Sequence, residues 1–298
     1  MSDTYSSIHI IYNPNSTGPS QRKATRLTER LCRSKKLTGI NVELIATEHA
    51  GHAEKLTYDI VKKHPRPLIV SASGDGGFHE VINGAIRATS SKHQPICAVL
   101  PTGNANDHRR NTRRRPLYQA IVKKNVRQID ILRLSYKDGL KTKKRFAHSY
   151  IGFGLTPDVA LQLNSGDLTW LKQSAIVVRS FFSFRPFEIM QDQQRLKLDS
   201  LIFTNIKEMA KYVTLDKKAK IDDGSFEVIR LEHAGKIRLL GTIVKAATIG
   251  LSRNERHKEY TFSTTASLSA QLDGELLKIP SRKSVTVACE AKLLNTIS

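Results

Sequence analysis

The sequence predicts an α/β amino-terminal domain with a parallel sheet, followed by a mainly antiparallel β-sandwich as a second domain. Two observations lead there. Up to about residue 134, apolar runs rich in β-branched residues alternate with segments of helical periodicity, and that alternation means a parallel sheet covered on both faces. Beyond that point, short β-rich runs follow one another across turn residues, the pattern of antiparallel strands.

In chain order, the first part offers the strand runs "IHIIY", "NVELIAT", "PLIVSAS", "PICAVLP" and "RQIDILRL". Between them, "QRKATRLTERLCRS" puts Ala24, Leu27 and Leu31 on one helical face, and "FHEVINGAIRA" repeats Phe78, Val81, Ile82, Ala85 and Ile86 at helix spacing, starting near Phe78. In the second part, "LSYKDGLKTKKRFAHSYIGFG" reads as two strands joined through an Asp138-Gly139 turn. "SFEVIRL", "EYTFSTTASLSAQL" and "SVTVACE" continue the β pattern, with helices expected at "PDVALQL", "LTWLKQSAIVVRSFF" and "IRLLGTIVKAATIGL". The expected domains are 1–134 and 135–298, the last residues returning to the first domain.

Composition narrows the function classes. A hydrophobic fraction of 39% in 298 residues supports a proper core and excludes a disordered chain. Lys and Arg number 48 against 27 Asp and Glu, a net charge of +21, which attracts nucleic acid, an anionic membrane surface or a phosphorylated substrate. Net charge alone selects none of these. Cys32, Cys97 and Cys289 are odd in number and widely spaced, which argues against a disulfide framework or a zinc site. The amino terminus lacks a basic start followed by an apolar core, and the apolar run "SAIVVRSFF" is broken by Arg179. A cytoplasmic protein with at most peripheral membrane contact is expected.

The stretch "SASGDGGFHEVINGA" places a carboxylate between glycines, after a strand and before a helix. Glycine backbones and the free amides of a helix start suit a phosphate, yet neither a P-loop lysine nor a GxGxxG spacing is present. Asp75 would repel a polyphosphate unless a cation stands between them, and magnesium is the usual mediator. A plain capping turn explains Asp75 equally well. Two more polar loops follow strands, "YNPNSTG" and "LPTGNAND", and three in succession favour a shared ligand site over an accident of turns.

These loops resemble those of the diacylglycerol kinase catalytic family, which includes soluble bacterial lipid kinases and sphingosine kinases. "TEHAGHAEKL", "SYIGFGLTPDVA", "AKIDDGSFEV" and "LDGELL" extend the resemblance in order from Asn13 to Glu275. It implies an amino-terminal domain like those of NAD kinases and phosphofructokinases, binding nucleotide, and a second domain carrying the lipid substrate. ATP would contact Asn13, Pro14, Asn15 and Gly18, then Thr47, then Ser73, Gly74, Asp75, Gly76 and Gly77, then Gly103, Asn104, Asn106 and Asp107. Asp75 and Asp107 would hold the magnesium. Asp273 or Glu275 would accept the hydroxyl proton, and a plain strand would put both on one face. In related bacterial members the "AKIDDGSF" element binds a structural metal, which here would use the Asp223 carboxylate with the backbone carbonyls of Lys220 and Ser225; the competing reading is a simple turn.

The chain departs from the family's usual Gly-Gly-Asp-Gly-Thr at Ser73 and Gly77, and Asn104 stands for the usual Thr. The run "DHRRNTRRRP" reads as a solvated loop, a contact for anionic lipid headgroups, or a nonspecific nucleic-acid patch. No aromatic-interleaved RNA motif, helix-turn-helix pattern or zinc knuckle supports specific nucleic-acid recognition. The expected partner is therefore a lipid substrate at an anionic membrane surface, with assembly as a homodimer left open. Two alternatives stand beside the lipid kinase: a kinase for a soluble or NAD-like acceptor, and a catalytically silent nucleotide or membrane-surface binding protein.

Overall fold

The computed structural model describes residues 5–16, 19–103, 106–113, 115–154, 185–209, 213–214, 220–235 and 255–298. The helices expected over 157–163, 168–182 and 237–251 lie outside the described residues. The chain divides into two compact units, Met1–Asp130 with Lys292–Ser298, and Ile131–Ala291.

In the first unit, β1 (Ser7–Tyr12), β2 (Val42–Ala46), β3 (Pro67–Ser73) and β4 (Ile96–Pro101) form a parallel sheet in the order β2-β1-β3-β4. Parallel pairing requires a crossover between successive strands. Helices α1 (Ser20–Cys32), α2 (His52–Lys63) and α3 (Asp75–Ala88) supply the three crossovers. The first six residues of β3 are all buried, as expected of a strand covered on both faces. Ala24, Leu27 and Leu31 of α1 pack with Ile8, Ile10, Leu68, Val70 and Ile96 in one core. Gly84 of α3 lies against the Glu54 carbonyl and the Thr57 side chain of α2, so no side chain fits between these helices there. The short helices α4 (Asp107–Thr112) and α5 (Leu117–Val122) follow β4. Asn295 and Thr296, near the chain end, pair parallel with Ile96 and Cys97 of β4 and complete the sheet on that side.

The second unit is built from antiparallel strands. Its elements are β5 (Val126–Asp138), β6 (Lys141–Ala147), β7 (Tyr150–Gly154), β8 (Phe187–Gln191), β9 (Gln194–Thr204), β10 (Glu208–Met209), β11 (Val213–Thr214), β12 (Phe226–Glu232), β13 (Glu255–His257), β14 (Glu259–Thr264), β15 (Leu268–Leu272), β16 (Glu275–Ile279) and β17 (Ser284–Ile297). The chain changes unit inside β5 and again inside β17. The first half of β9 pairs with β8, whereas its second half lies between β7 and β12. Phe153, Phe203, Phe226 and Phe262 fill the core, and the Phe153 ring meets those of Phe203 and Phe262 edge to face at 6.1 and 5.4 Å.

Three expectations change. "RQIDILRL" is not a fifth parallel strand: β5 pairs antiparallel with β6 from Leu132 to Asp138, because a two-residue turn returns the chain at once instead of a crossover. "LSYKDGLKTKKRFAHSYIGFG" makes three strands, His148 and Ser149 separating β6 from β7. Helix α3 begins at Asp75, not near Phe78, since Gly74 in extended geometry (φ −83°, ψ −167°) lets the chain turn straight from strand into helix.

Candidate functional site

All three polar loops leave the carboxyl ends of neighbouring parallel strands, where a doubly covered sheet leaves room for a ligand. After β1, the Asn13 side chain accepts the Asn15 N–H at 2.9 Å, holding a tight exposed turn. Thr47, after β2, donates its N–H to the Tyr12 carbonyl at 2.9 Å, which brings it beside that turn. Gly18 and Asn104 lie outside the described residues.

The loops after β3 and β4 touch through glycine. A Cβ on Gly103 would stand 2.5 Å from the Gly74 Cα, and one on Gly74 3.3 Å from the Gly103 Cα. The Thr102 N–H also donates to the Ser73 carbonyl at 3.1 Å. Neither glycine can carry a side chain while the other stays in place. From this crossing point, Gly74 opens α3, with Asp75 as its first residue and no side-chain cap. Its first amides, at Asp75, Gly76 and Gly77, lack intrahelical acceptors and carry the positive end of the helix dipole.

Asp75 is the first residue of α3, Gly74 being its N-cap. Its Oδ1 accepts the His108 N–H at 3.4 Å, which sets it at the start of α4, next to Asp107 in sequence. Asn106, at φ +54°, turns the chain into α4, and its amide donates to the Gly103 carbonyl at 2.6 Å. Asp107 is buried. Asp75 and Asp107, each the first residue of a helix, offer carboxylate oxygens at this edge, while the amides of the α3 start offer N–H groups to an anion. That carboxylate pair fits magnesium.

Gly77 stands where the family commonly has Thr, and the structure gives a reason. A Cβ at Gly77 would lie 2.6 Å from the Ser73 Cβ and 2.8 Å from its Oγ. The Ser73 hydroxyl fills that space, paired with the Ser71 hydroxyl at 2.7 Å and donating to the Gly74 carbonyl at 2.9 Å. A side chain at 77 and the one at Ser73 therefore compete for the same space.

Several residues that hold this edge together were not singled out by sequence reasoning. Ser20 Oγ donates to the Ala72 carbonyl at 2.5 Å and Lys23 Nζ to the Pro101 carbonyl at 2.9 Å, tying α1 to the ends of β3 and β4. Glu80 accepts the N–H groups of Gly51 and Ala53 at 2.9 and 3.1 Å, capping α2 from α3. His108 meets the Thr296 hydroxyl at 3.1 Å, and that hydroxyl donates to the Cys97 carbonyl at 3.0 Å. Only for Glu80 was a local signal available: an acid at helix spacing after the glycine loop.

The arginine run divides. Arg113 is buried and donates to the carbonyls of Val99 and Arg115, both at 3.1 Å, so it braces the loop instead of meeting solvent. Burial, with Arg109 nearby, pulls its guanidinium down to about 10. Arg109 and Arg110 are half-buried, Arg115 is exposed, and Arg114 lies outside the described residues.

In the second unit, Asp273 and Glu275 do not share one face of a strand. Asp273 (φ +52°) and Gly274 (φ +103°) form the two-residue turn of the β15–β16 hairpin, and Glu275 begins the returning strand opposite Leu272. The Asp273 side chain is 1% exposed. Its Oδ2 accepts the His148 N–H at 2.7 Å, and its Oδ1 accepts those of Ser149 and Tyr150 at 2.9 and 3.2 Å. It therefore organises the β6–β7 junction. Glu275 is exposed and its carboxylate makes no hydrogen bond or ion pair with a described residue.

At the Lys220, Asp223 and Ser225 element the Asp223 carboxylate is already engaged. Asp223 Oδ1 accepts the Ser225 N–H and hydroxyl at 3.3 and 2.8 Å. Its Oδ2 is 3.2 Å from Arg256 Nη1, and Arg256 Nη2 is 3.3 Å from the buried Glu227. A guanidinium thus lies against the Asp223 carboxylate. A divalent ion would have to displace it.

Residues 7–134 match the diacylglycerol kinase catalytic domain. A diacylglycerol kinase of Staphylococcus saprophyticus is 26% identical over 284 residues, covering 90% of this chain and 86% of the relative. A diacylglycerol kinase crystal structure from Bacillus anthracis superposes with a TM-score of 0.71 at 16% identity, covering 100% of this chain and 98% of that one. Yeast NADH kinase complexed with NADH shares the fold more distantly, with a TM-score of 0.51 at 12% identity over 97% of this chain and 82% of that one. The parallel sheet edge with its acidic glycine loop lies within the residues that match this domain, and similarity to diacylglycerol kinases runs over 90% of the chain: the chain is a kinase whose residues 7–134 carry a diacylglycerol kinase catalytic domain.

Proposed function

We propose that the protein is an ATP- and magnesium-dependent lipid kinase that transfers the γ-phosphoryl group to a hydroxyl of a diacylglycerol-like or long-chain-base lipid. The observation that carries this reading is the Gly74–Gly103 crossing, which presents the start of α3 and two carboxylates at one sheet edge with no side chain in the way. The named relatives, diacylglycerol kinases over most of their length, favour a lipid alcohol as acceptor.

In this reading the phosphates lie along Asn13 to Ser16 and the first amides of α3, with Thr47 beside them. Asp75 and Asp107 would hold the magnesium, whose charge would offset that of the transferring phosphoryl group. The amides of Asp75, Gly76 and Gly77 point at phosphate oxygens and need no reorganisation, because α3 fixes them. Glu275 accepts the hydroxyl proton, since its carboxylate is exposed and uncommitted, while Asp273 is a positioning residue that locks the hairpin carrying it. An acceptor in a bilayer requires docking at the surface; no helix among the described residues is long and apolar enough to cross a membrane.

The test is transfer from radiolabelled ATP to a lipid extract, with the product identified by mass spectrometry and NAD offered in parallel. Labelled lipid that disappears in Asp75→Asn supports the reading. Labelled NAD without labelled lipid replaces it with a kinase for a soluble acceptor, and magnesium-dependent ATP binding without turnover replaces it with a silent binding protein.

A further inference from the structure

We infer that the tip of the β5–β6 hairpin is the surface by which this protein docks on an anionic phospholipid bilayer. The biological setting rests on the lipid-kinase reading; the geometry does not. Asp138 pairs with Lys141, leaving Gly139 and Leu140 as a two-residue turn. Only the first of these has a positive φ, +62°, as in type II′ hairpin turns. Residues 137–144 are all exposed. Leu140 is 107% exposed, and among the described residues only Leu276, at 38%, joins it as an exposed large apolar side chain.

Leucine has no conformational reason to occupy such a turn, where Gly, Asn, Asp and Ser are favoured. It contributes nothing to the core either, being wholly in solvent. The hairpin beneath it is well held: Leu132 and Leu134 are fully buried, Tyr136 nearly so, and Arg133 pairs with Glu290 and donates to Ser135 Oγ at 2.9 Å. From Tyr136 to Asp138 the strand runs about 7 Å before the turn. The tip is thus a paired, preorganised projection.

Around Leu140 stand Lys137, Lys141, Lys143 and Lys144, all exposed, with Arg145 half-buried behind them. The acid on the tip is Asp138, and Lys283 Nζ faces it at 3.9 Å. Cations ringing one apolar side chain complement an anionic bilayer, whose headgroups take the lysines and whose acyl boundary, about 5–10 Å in, takes the leucine. A nucleic acid would use the lysines but gain nothing from Leu140. That difference decides between the two polyanions.

The experiment is sedimentation of the full chain with vesicles of phosphatidylcholine alone, or of phosphatidylcholine mixed with phosphatidylglycerol. The protein is expected on the anionic vesicles, less at high salt. Leu140→Asp should weaken partitioning by about tenfold or more. Each lysine replaced by glutamine among Lys141, Lys143 and Lys144 should cost about fivefold. Leu140→Trp should show a blue-shifted emission on anionic vesicles beyond that of the native protein. These positions are fully exposed, so unchanged melting temperatures should accompany the losses.

Undiminished vesicle binding by Leu140→Asp, or loss of RNA binding in the lysine variants with vesicle binding intact, would overturn the inference. Docking lost in the variants while the native protein labels no lipid would uphold it and sink the lipid-kinase reading. Lipid labelling with docking indifferent to the hairpin would do the reverse.

Discussion

The Ser73–Gly77 competition for space can be tested as a thermodynamic cycle. In the native protein, Gly77→Ala places a Cβ 2.6 Å from the Ser73 Cβ and 2.8 Å from its Oγ. Ordinary carbon contacts lie near 3.5–4.0 Å, so the strand end or the helix start must shift, an overpacking cost of about 1–3 kcal/mol. The better helix propensity of alanine offsets at most about 1 kcal/mol of that. Ser73→Gly alone removes the hydrogen bonds to Ser71 and Gly74, worth about 1 kcal/mol between them. Combined, the substitutions have no clash left to relieve, and the pair should be more stable than the sum of the singles by about 1–3 kcal/mol. Urea unfolding of the four proteins measures the coupling. Additivity within about 0.5 kcal/mol would refute the idea that one side chain occupies the other's space. A second arm asks about function: Gly77→Thr should impair ATP binding, and Ser73→Gly/Gly77→Thr should restore it.

Three further outcomes are expected. Arg256→Met should cost about 1–2 kcal/mol by leaving Asp223 and Glu227 without their shared cation, and magnesium or calcium should then raise the melting temperature of the variant but not of the native protein, both without nucleotide. Glu275→Gln should melt like the native protein yet lose at least about a hundredfold in turnover, whereas Asp273→Asn should lower stability by about 2–3 kcal/mol because three main-chain amides lose a charged acceptor. Burial pushes the Cys97 thiol from its usual 9.0 up to about 12. Between those values the folded chain keeps a proton that the unfolded chain has lost, so this contribution is whole below about pH 9 and shrinks by at most about 1.4 kcal/mol per pH unit above it. Urea unfolding at rising alkaline pH should give a shallower decline in Cys97→Ala.

Local pattern was enough for much of the fold. Ala24, Leu27 and Leu31 announce the buried face of α1 by spacing, and the buried runs of β1, β3 and β4 announce a covered parallel sheet, because burial on one face or two leaves its period in the sequence. The Asp138-Gly139 signal likewise locates the β5–β6 turn to within one residue, the turn itself being Gly139-Leu140 with Asp138 still paired to Lys141. The three polar loops could be read as one ligand edge because strand direction is shared by all parallel neighbours.

Contacts between distant residues leave no such period. That Gly77 must be glycine depends on a serine four residues away across a strand-to-helix turn, and that Asp273 is engaged by three amides depends on a junction some 125 positions earlier in the chain. Arg256 reaches the acid of the expected metal element because β13 pairs with β12 and carries its guanidinium to Asp223 and Glu227. Composition and periodicity state which residues prefer to be inside and which backbone shapes they favour. Which carboxylate remains uncommitted, which cation neutralises which acid, and which glycine is compulsory follow from the packing of remote segments, since charge and excluded volume act through space and not along the chain.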